Sequence, residues 1–311
     1  MTWTAQEFAT EAEWLAERRR HVTSSDVATI LGVSPYGNAF DLWLQKVRGD
    51  DRDLSKMRRR FEAGHHIEPL IAKWFAEDTG RTPFRPLDGY YLLTNPDLPW
   101  AAVTPDLLVI DGQGSDGVVE SKSAGMMDLS GYEEGPALRY ATAQLHLPLL
   151  VCEMHQGWVA TTFGMGNAFR VYPVERNEEL AALIVERCEA FHRLIVAEEP
   201  PGEDFLRSGE GIGRALAKIY EGESGELVEI EERFAEMLER REAALELKKG
   251  AEREIEEISN ALKLRMGAAT FARVPGYPKL AQWKTEAKKE YTVPASETRV
   301  LRLVKDGKGK P

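Results

Sequence analysis

The sequence predicts an α/β chain: a sheet flanked by helices over the first two hundred residues, then a helical and β extension. Three observations point there. Short apolar stretches bounded by Gly, Pro and Asp alternate with stretches whose apolar residues recur at three and four. Pro200-Pro201-Gly202 and the Gly-rich Ser208–Gly213 then break that alternation. Beyond them a sustained three-four spacing begins, which suits a long helix and not a strand. The predicted division is residues 1–203 and 204–311.

Thr23-Ser24-Ser25 precede an apolar start at Asp26–Leu31, and Ser-Asp is a good cap pair, so a helix opens there. Gly32 and Ser34-Pro35-Tyr36-Gly37 end it, and Asp41–Lys46 resumes with Leu42, Trp43 and Leu44. Ile67, Leu70, Ile71, Trp74 and Phe75 line one face of a helix over Phe61–Asp78 that Gly80 stops. Tyr90–Thr94, Trp100–Val103, Leu107–Ile110 and Val118–Lys122 read as strands joined by tight turns. Ala137–Val151 is helical, and Pro148 is expected to kink or end it. Strands follow at Trp158–Phe163 and Phe169–Val174, then a helix at Glu178–Ala197.

In the extension, Leu227, Ile230, Phe234, Met237, Ala244, Ala251, Ile255, Ile258 and Leu262 form a seam interrupted by Arg241 and Lys248. It predicts a long helix or helical hairpin from about Glu226 to Leu262, with Gly250 as a point of bending. Packing on its own chain fits the seam at least as well as packing on another chain. Thr270–Val274, Ala281–Lys284 and Arg299–Val304 read as short strands in a tail carrying several Lys and Arg.

The 311 residues are 43% hydrophobic and 29% charged, which excludes wholesale disorder. No apolar run is long enough for a membrane span, and the acidic opening MTWTAQEFATEAEW is not expected to act as a signal peptide. Cys152 and Cys188 are too few for a disulfide framework, so a cytoplasmic location is expected. A net charge of −11 excludes a uniformly basic coat, yet a local basic channel remains compatible with it.

The chemistry concentrates between Glu68 and Lys122. Pro105-Asp106 opens one strand, and after thirteen intervening residues Glu120-Ser121-Lys122 stands on the next. A hairpin of that length brings Asp106 and Glu120 to one sheet edge. Two carboxylates held together call for a shared cation, and Mg²⁺ takes such hard oxygen ligands. Glu120 and Lys122, two apart, point to the same face of a strand. The ammonium would then sit beside the metal, able to orient water or stabilise developing negative charge. On this pattern alone, a nuclease and a plain surface ion pair on a hairpin are about equally supported.

The context of these residues resembles a family. Trp14, Arg18, Val22 and Ser25-Asp26 stand at the intervals of its W-x3-R-x3-I-G-x-S-D opening. Ile30-Leu31-Gly32-Val33-Ser34-Pro35-Tyr36 and Leu42-Trp43-Leu44 are similar to its LGxSPY and LWL segments. Gly64, Glu68-Pro69-Leu70, Pro105-Asp106, Glu120-Ser121-Lys122, Tyr140-x3-Gln144, Phe191 and the Pro200-Pro201 stop follow in the family's order. Residues 13 to 201 thus resemble the PD-(D/E)XK nucleases, and within them the YqaJ and lambda-exonuclease type of viral recombination nucleases. Thr23 and Ser24 depart from the family's glycines before Ser25, and Leu107 from the Gly common after Asp106.

The resemblance implies a restriction-endonuclease-like mixed sheet and a metal-dependent nuclease that degrades linear double-stranded DNA from its 5′ ends. It implies Glu68, Asp106 and Glu120 as acidic metal ligands, with the Ser121 carbonyl as a further ligand. Lys122 would be the catalytic lysine, Gln144 would support the site, and Arg18 with Ser25 would hold the terminal 5′ phosphate. It further implies Mg²⁺, as two ions that Mn²⁺ could replace, a homo-oligomer such as a trimer around the duplex, and a single-strand annealing protein as partner. The setting would be a bacterial cytoplasm, with a phage or prophage gene. An endonuclease of the same fold, and a non-catalytic DNA-end-binding scaffold, stand beside this reading as alternatives.

Smaller features carry bland expectations. His65 and His66 are read as helix residues near DNA, and the triplets Arg18–Arg20 and Arg58–Arg60 as solvated faces open to phosphate contacts. Tyr36, Trp43 and Trp74 are expected in the core, and both cysteines as buried, inert thiols.

Overall fold

A computed structural model describes residues 2–49, 58–110, 116–133, 135–164, 166–207, 209, 211–220, 222, 225–286 and 301, with Arg58, Arg60, Phe61 and His65 described by backbone alone. The chain divides into two compact units, residues 1–221 and 222–311.

The first unit begins with strand β1 (Thr4–Phe8) and helix α1 (Glu11–Arg19), whose Thr10 and Glu13 form a reciprocal capping box. Helices α2 (Ser24–Ile30), α3 (Ala39–Arg48) and α4 (Arg58–Thr79) follow. Then come β2 (Pro83–Phe84), β3 (Tyr90–Thr94), β4 (Ala102–Val103), β5 (Leu107–Val109) and β6 (Gly117–Ala124). A short α5 (Leu129–Glu133) leads to α6 (Pro136–Val151), β7 (Gln156–Phe163), β8 (Ala168–Glu175), α7 (Glu178–Ala197) and α8 (Ile212–Ile219).

The main sheet runs β2-β5-β6-β7-β8. β6 and β7 pair in parallel and their outer neighbours pair antiparallel, so the sheet is mixed, as expected. A parallel pair needs a crossover, and α6 supplies it. The close approach of β6 to β7 requires glycine: a Cβ on Gly157 would lie 2.7 Å from the Val118 carbonyl oxygen.

Alternation along the strands splits the core between the two sheet faces. Leu107, Val109, Val119, Trp158 and Ala160 pack with Ile71 and Phe75 of α4. Leu108, Val118, Val159 and Phe163 face the other way, toward Leu145 and Leu149 of α6 and Ile184 and Phe191 of α7. Helices therefore flank the sheet on both sides.

Several expectations need correction. The compact first unit runs past residue 203, because Phe205, Ala215 and Ile219 are buried in the main core and Arg48 donates to the Lys218 and Ile219 carbonyls. Pro148 does not end α6: the helix continues to Val151, and the Cys152 N–H still reaches the Pro148 carbonyl at 2.9 Å. β1 was not anticipated. It pairs with β3, and its four exposed polar-rich positions give no apolar alternation to read.

In the second unit the seam forms one helix, α9 (Arg233–Met266), without a hairpin. Leu227 and Ile230 lie before it. β9 (Phe271–Arg273) pairs antiparallel with β10 (Leu280–Gln282). The strand expected at Arg299–Val304 lies outside the described residues apart from Leu301. No helix among the described residues is long and apolar enough to cross a membrane.

Candidate active site

The β5–β6 hairpin does what the spacing requires. Leu107 lies opposite Val119, so Asp106 and Glu120 flank the same end of the pair, and Asp106 Oδ2 accepts the Ser121 N–H at 2.7 Å. The turn before Asp106 is fixed by a residue that the sequence did not single out. Tyr91 is fully buried on β3; its hydroxyl donates to the Pro105 carbonyl at 2.9 Å, and Thr104 Oγ1 donates to the Tyr91 carbonyl at 2.9 Å. A strand tyrosine reads as ordinary core, and only tertiary pairing reveals the role.

Glu120 and Lys122 share a face. Lys122 Nζ donates to Glu120 Oε1 at 2.6 Å and to Gln144 Oε1 at 2.7 Å. Gln144 comes from the crossover helix α6 and is buried, and its amide donates to the Tyr140 hydroxyl at 2.9 Å. Glu68 is half-buried on α4 and close enough to raise the Asp106 pKa. Asp106, Glu120, Ser121, Lys122 and Gln144 therefore meet at one place with Glu68 within electrostatic reach, while Arg18 and Ser25 belong to another.

The electrostatics of this cluster are unbalanced. Burial, reinforced by Glu120, pushes the Asp106 carboxyl up to about 8; Lys122 and the Ser121 N–H oppose that shift, and Glu68 adds to it. Burial alone would lower the Lys122 pKa, but Glu120 and Asp106 outweigh it and hold the ammonium above its ordinary value. Lys122 is thus a permanent cation, suited to stabilising negative charge and unsuited to acting as a base.

Three carboxylates and the Ser121 carbonyl are hard oxygen donors, the class that Mg²⁺ takes. Among the described residues no three His, Cys, Asp or Glu side chains converge closely enough to cage an ion. The fit rests instead on charge: Asp106 would otherwise hold a proton near neutral pH, and a divalent cation would displace it.

The second cluster surrounds α2. Arg18 lies over the Trp14 ring at 4.5 Å and reaches Thr23 Oγ1 at 3.4 Å, while Glu17 lies near Arg20 and His21 instead. Ser25 is exposed, and its hydroxyl lies 3.3 Å from Thr23 Oγ1. Asp26 turns back to cap its own helix, accepting from Thr23 N–H at 2.8 Å and Thr23 Oγ1 at 2.9 Å. The residue missed here is Lys46 of α3. Its ammonium is buried, pairs with Asp26 at 2.7 Å, and donates to the Arg18 and His21 carbonyls at 2.9 and 2.8 Å. The available signal is weak: a lysine two residues after the apolar run Leu42-Trp43-Leu44.

Of the remaining expectations, Trp43 is buried, Trp74 is half-buried, and Tyr36 is 57% exposed, so it is not core. His66 and Arg59 are exposed, while the side chains of His65, Arg58 and Arg60 lie outside the described residues. Cys152 and Cys188 are buried, and burial pushes the Cys152 thiol up to about 12 and raises Cys188 too, which keeps both unreactive.

Residues 13–151 match the family model of the YqaJ-like viral recombinase domain. The chain is similar to the uncharacterized protein YqaJ of Bacillus subtilis strain 168, with 26% identity over 280 residues, 88% of this chain and 82% of that protein. Among solved structures, an alkaline exonuclease (LHK-Exo) from Laribacter hongkongensis is 20% identical, with a TM-score of 0.46, covering 67% of this chain and 100% of that one. The same exonuclease in complex with dAMP is 19% identical over the same shares, with a TM-score of 0.44.

Proposed function

We propose, from the match of residues 13–151 to the YqaJ-like viral recombinase domain, that the chain is a Mg²⁺-dependent nuclease that degrades linear double-stranded DNA from its 5′ ends. The observation that carries the reading is the Lys122 ammonium held between Glu120 and Gln144 beside a half-buried Asp106 whose pKa rises to about 8. A purely structural ion pair would have no use for the excess carboxylate.

Asp106, Glu120, Glu68 and the Ser121 carbonyl would hold the metal, as two ions that Mn²⁺ could replace. When bound, the metal supplies a Lewis acid for the phosphoryl oxygen and a water acidified toward hydroxide. Lys122 presents a fixed positive charge to the non-bridging oxygens as negative charge develops, and Gln144 keeps the ammonium on that side of the strand. Arg18 and Ser25 would receive the terminal 5′ phosphate. Double-stranded DNA ends, an annealing protein that coats the exposed 3′ strand, and further copies of this chain, such as a trimer, complete the reading. It serves recombination by single-strand annealing in a bacterial cytoplasm.

The deciding assay is digestion of linear duplexes labelled at either end, with Mg²⁺ or EDTA, beside a supercoiled plasmid. Early loss of the 5′ label with the plasmid intact supports the proposal. Release from the 3′ end overturns the polarity, linearised plasmid replaces the exonuclease with an endonuclease, and no cleavage leaves the DNA-end scaffold.

A further inference from the structure

We propose that Tyr36 stacks an unpaired base of the substrate strand beside Lys122; this rests on the nuclease reading and adds a substrate contact to it. Tyr36 stands in the loop between α2 and α3, with more than half of its surface open to solvent. Its ring meets Tyr140 edge to face, with centroids 5.5 Å apart and planes at 76°. The Lys122 ammonium lies 5.8 Å from the centroid of that same Tyr140 ring. One ring therefore separates Tyr36 from the cation proposed to face the scissile phosphate. Tyr132 belongs to the same neighbourhood, since Lys122, Tyr36 and Glu120 all influence its hydroxyl.

The loop is built to hold the ring still. Val33 and Ser34 both donate to the Ala28 carbonyl at 2.9 and 3.0 Å, and the Tyr36 N–H donates to Ser34 Oγ at 3.2 Å. Asn38 is buried and accepts the Asp41 N–H at 2.9 Å. Gly209 comes so near that a Cβ there would lie 2.6 Å from the Gly37 carbonyl oxygen. An exposed aromatic on an anchored loop loses little conformational entropy when a base lies against it. Every base offers a π face, so such a contact tolerates any sequence, as an enzyme that removes each nucleotide in turn requires. Tyr140 is committed through its hydroxyl to Gln144.

The test is single-turnover digestion of linear duplex with Mg²⁺ by the full chain and by Tyr36→Ala, Tyr36→Phe and Tyr36→Trp. Each of the first few nucleotides is replaced in turn by an abasic residue. Stacking predicts that Tyr36→Ala raises the half-saturating DNA concentration roughly 5- to 150-fold, while Phe and Trp retain most of the affinity. At one position the abasic substitution should cost the wild type a similar factor and cost Tyr36→Ala nothing further. Tyr36→Trp applies the same abasic comparison should the Ala variant melt early. Equal abasic penalties in wild type and Tyr36→Ala, or a Phe variant as weak as Ala, would overturn the stacking while leaving the nuclease in place. A wild type that cuts no duplex at all would overturn the nuclease reading, and this inference with it.

Discussion

Two lysines, the buried Lys46 and the half-buried Lys122, meet carboxylates in different ways. Lys46 has three acceptors, Asp26 and two main-chain carbonyls, and Asp26 is further satisfied by Thr23. Charge and hydrogen bonds close, and the group ties α1, α2 and α3 together. Lys122 faces Glu120 and the field of Asp106, with Glu68 beyond, so one cation serves more than one carboxylate. A balanced buried pair is architecture. An unbalanced one leaves charge uncompensated, which is where the proposed metal ion would act.

The comparison can be broken most sharply at Asp26. Asp26→Asn leaves Lys46 buried without its anion and should cost about 3–5 kcal/mol of stability in denaturant unfolding. A loss under 1 kcal/mol would show that the three helices hold together without the pair. At the other site, Lys122→Met should slow cleavage by ~10²–10³ at saturating Mg²⁺, with metal binding retained in calorimetry. Wild-type rates from that variant would remove Lys122 from the chemistry.

Asp106 should respond with the opposite sign to Asp26. Its pKa in the folded chain is raised to about 8 from the ordinary 3.8, so between those values the folded state binds a proton that the unfolded state has released. Stability of the metal-free chain must therefore fall as pH rises through that window. Asp106→Asn should flatten this dependence, raise the melting temperature at pH 8 and abolish cleavage. A melting temperature that rises with pH in wild type but not in the variant would contradict the assignment. The smallest effect concerns the other cluster. Linear duplex with a 5′ phosphate should be digested roughly tenfold faster than the 5′-hydroxyl form, and Arg18→Ala should erase the difference. Equal rates on both ends by the wild type would leave Arg18 as a partner of Trp14 and Thr23 alone.

Local signals made much of this legible. Tyr90–Thr94 and Glu178–Ala197 match their predicted bounds because turn residues and Asn177 punctuate them. The Asp106–Glu120 pairing follows from hairpin length, and the Glu120–Lys122 contact from a period of two. What stayed hidden depends on distant partners. Tyr91 positions Asp106 across a separate sheet, and Lys46 reaches back to Arg18 and His21. Tyr36 looks like core because aromatic residues usually are, and only the anchored loop exposes it. The 203 boundary failed because Pro-Gly composition marks a turn without revealing that Phe205 and Ile219 return to the core.

The crossover between β6 and β7 has a consequence for the order in which the molecule is made. A hairpin closes locally, whereas a parallel pair waits for the helix that joins it. A chain emerging from the ribosome can therefore bring Asp106 and Glu120 together while both are still in water, where their proximity is cheap. Gln144 arrives afterwards on α6. The burial that lifts the Asp106 carboxyl comes only when helices cover the sheet, so a half-made chain carries the residues of the site without the raised pKa that the proposed cation would relieve.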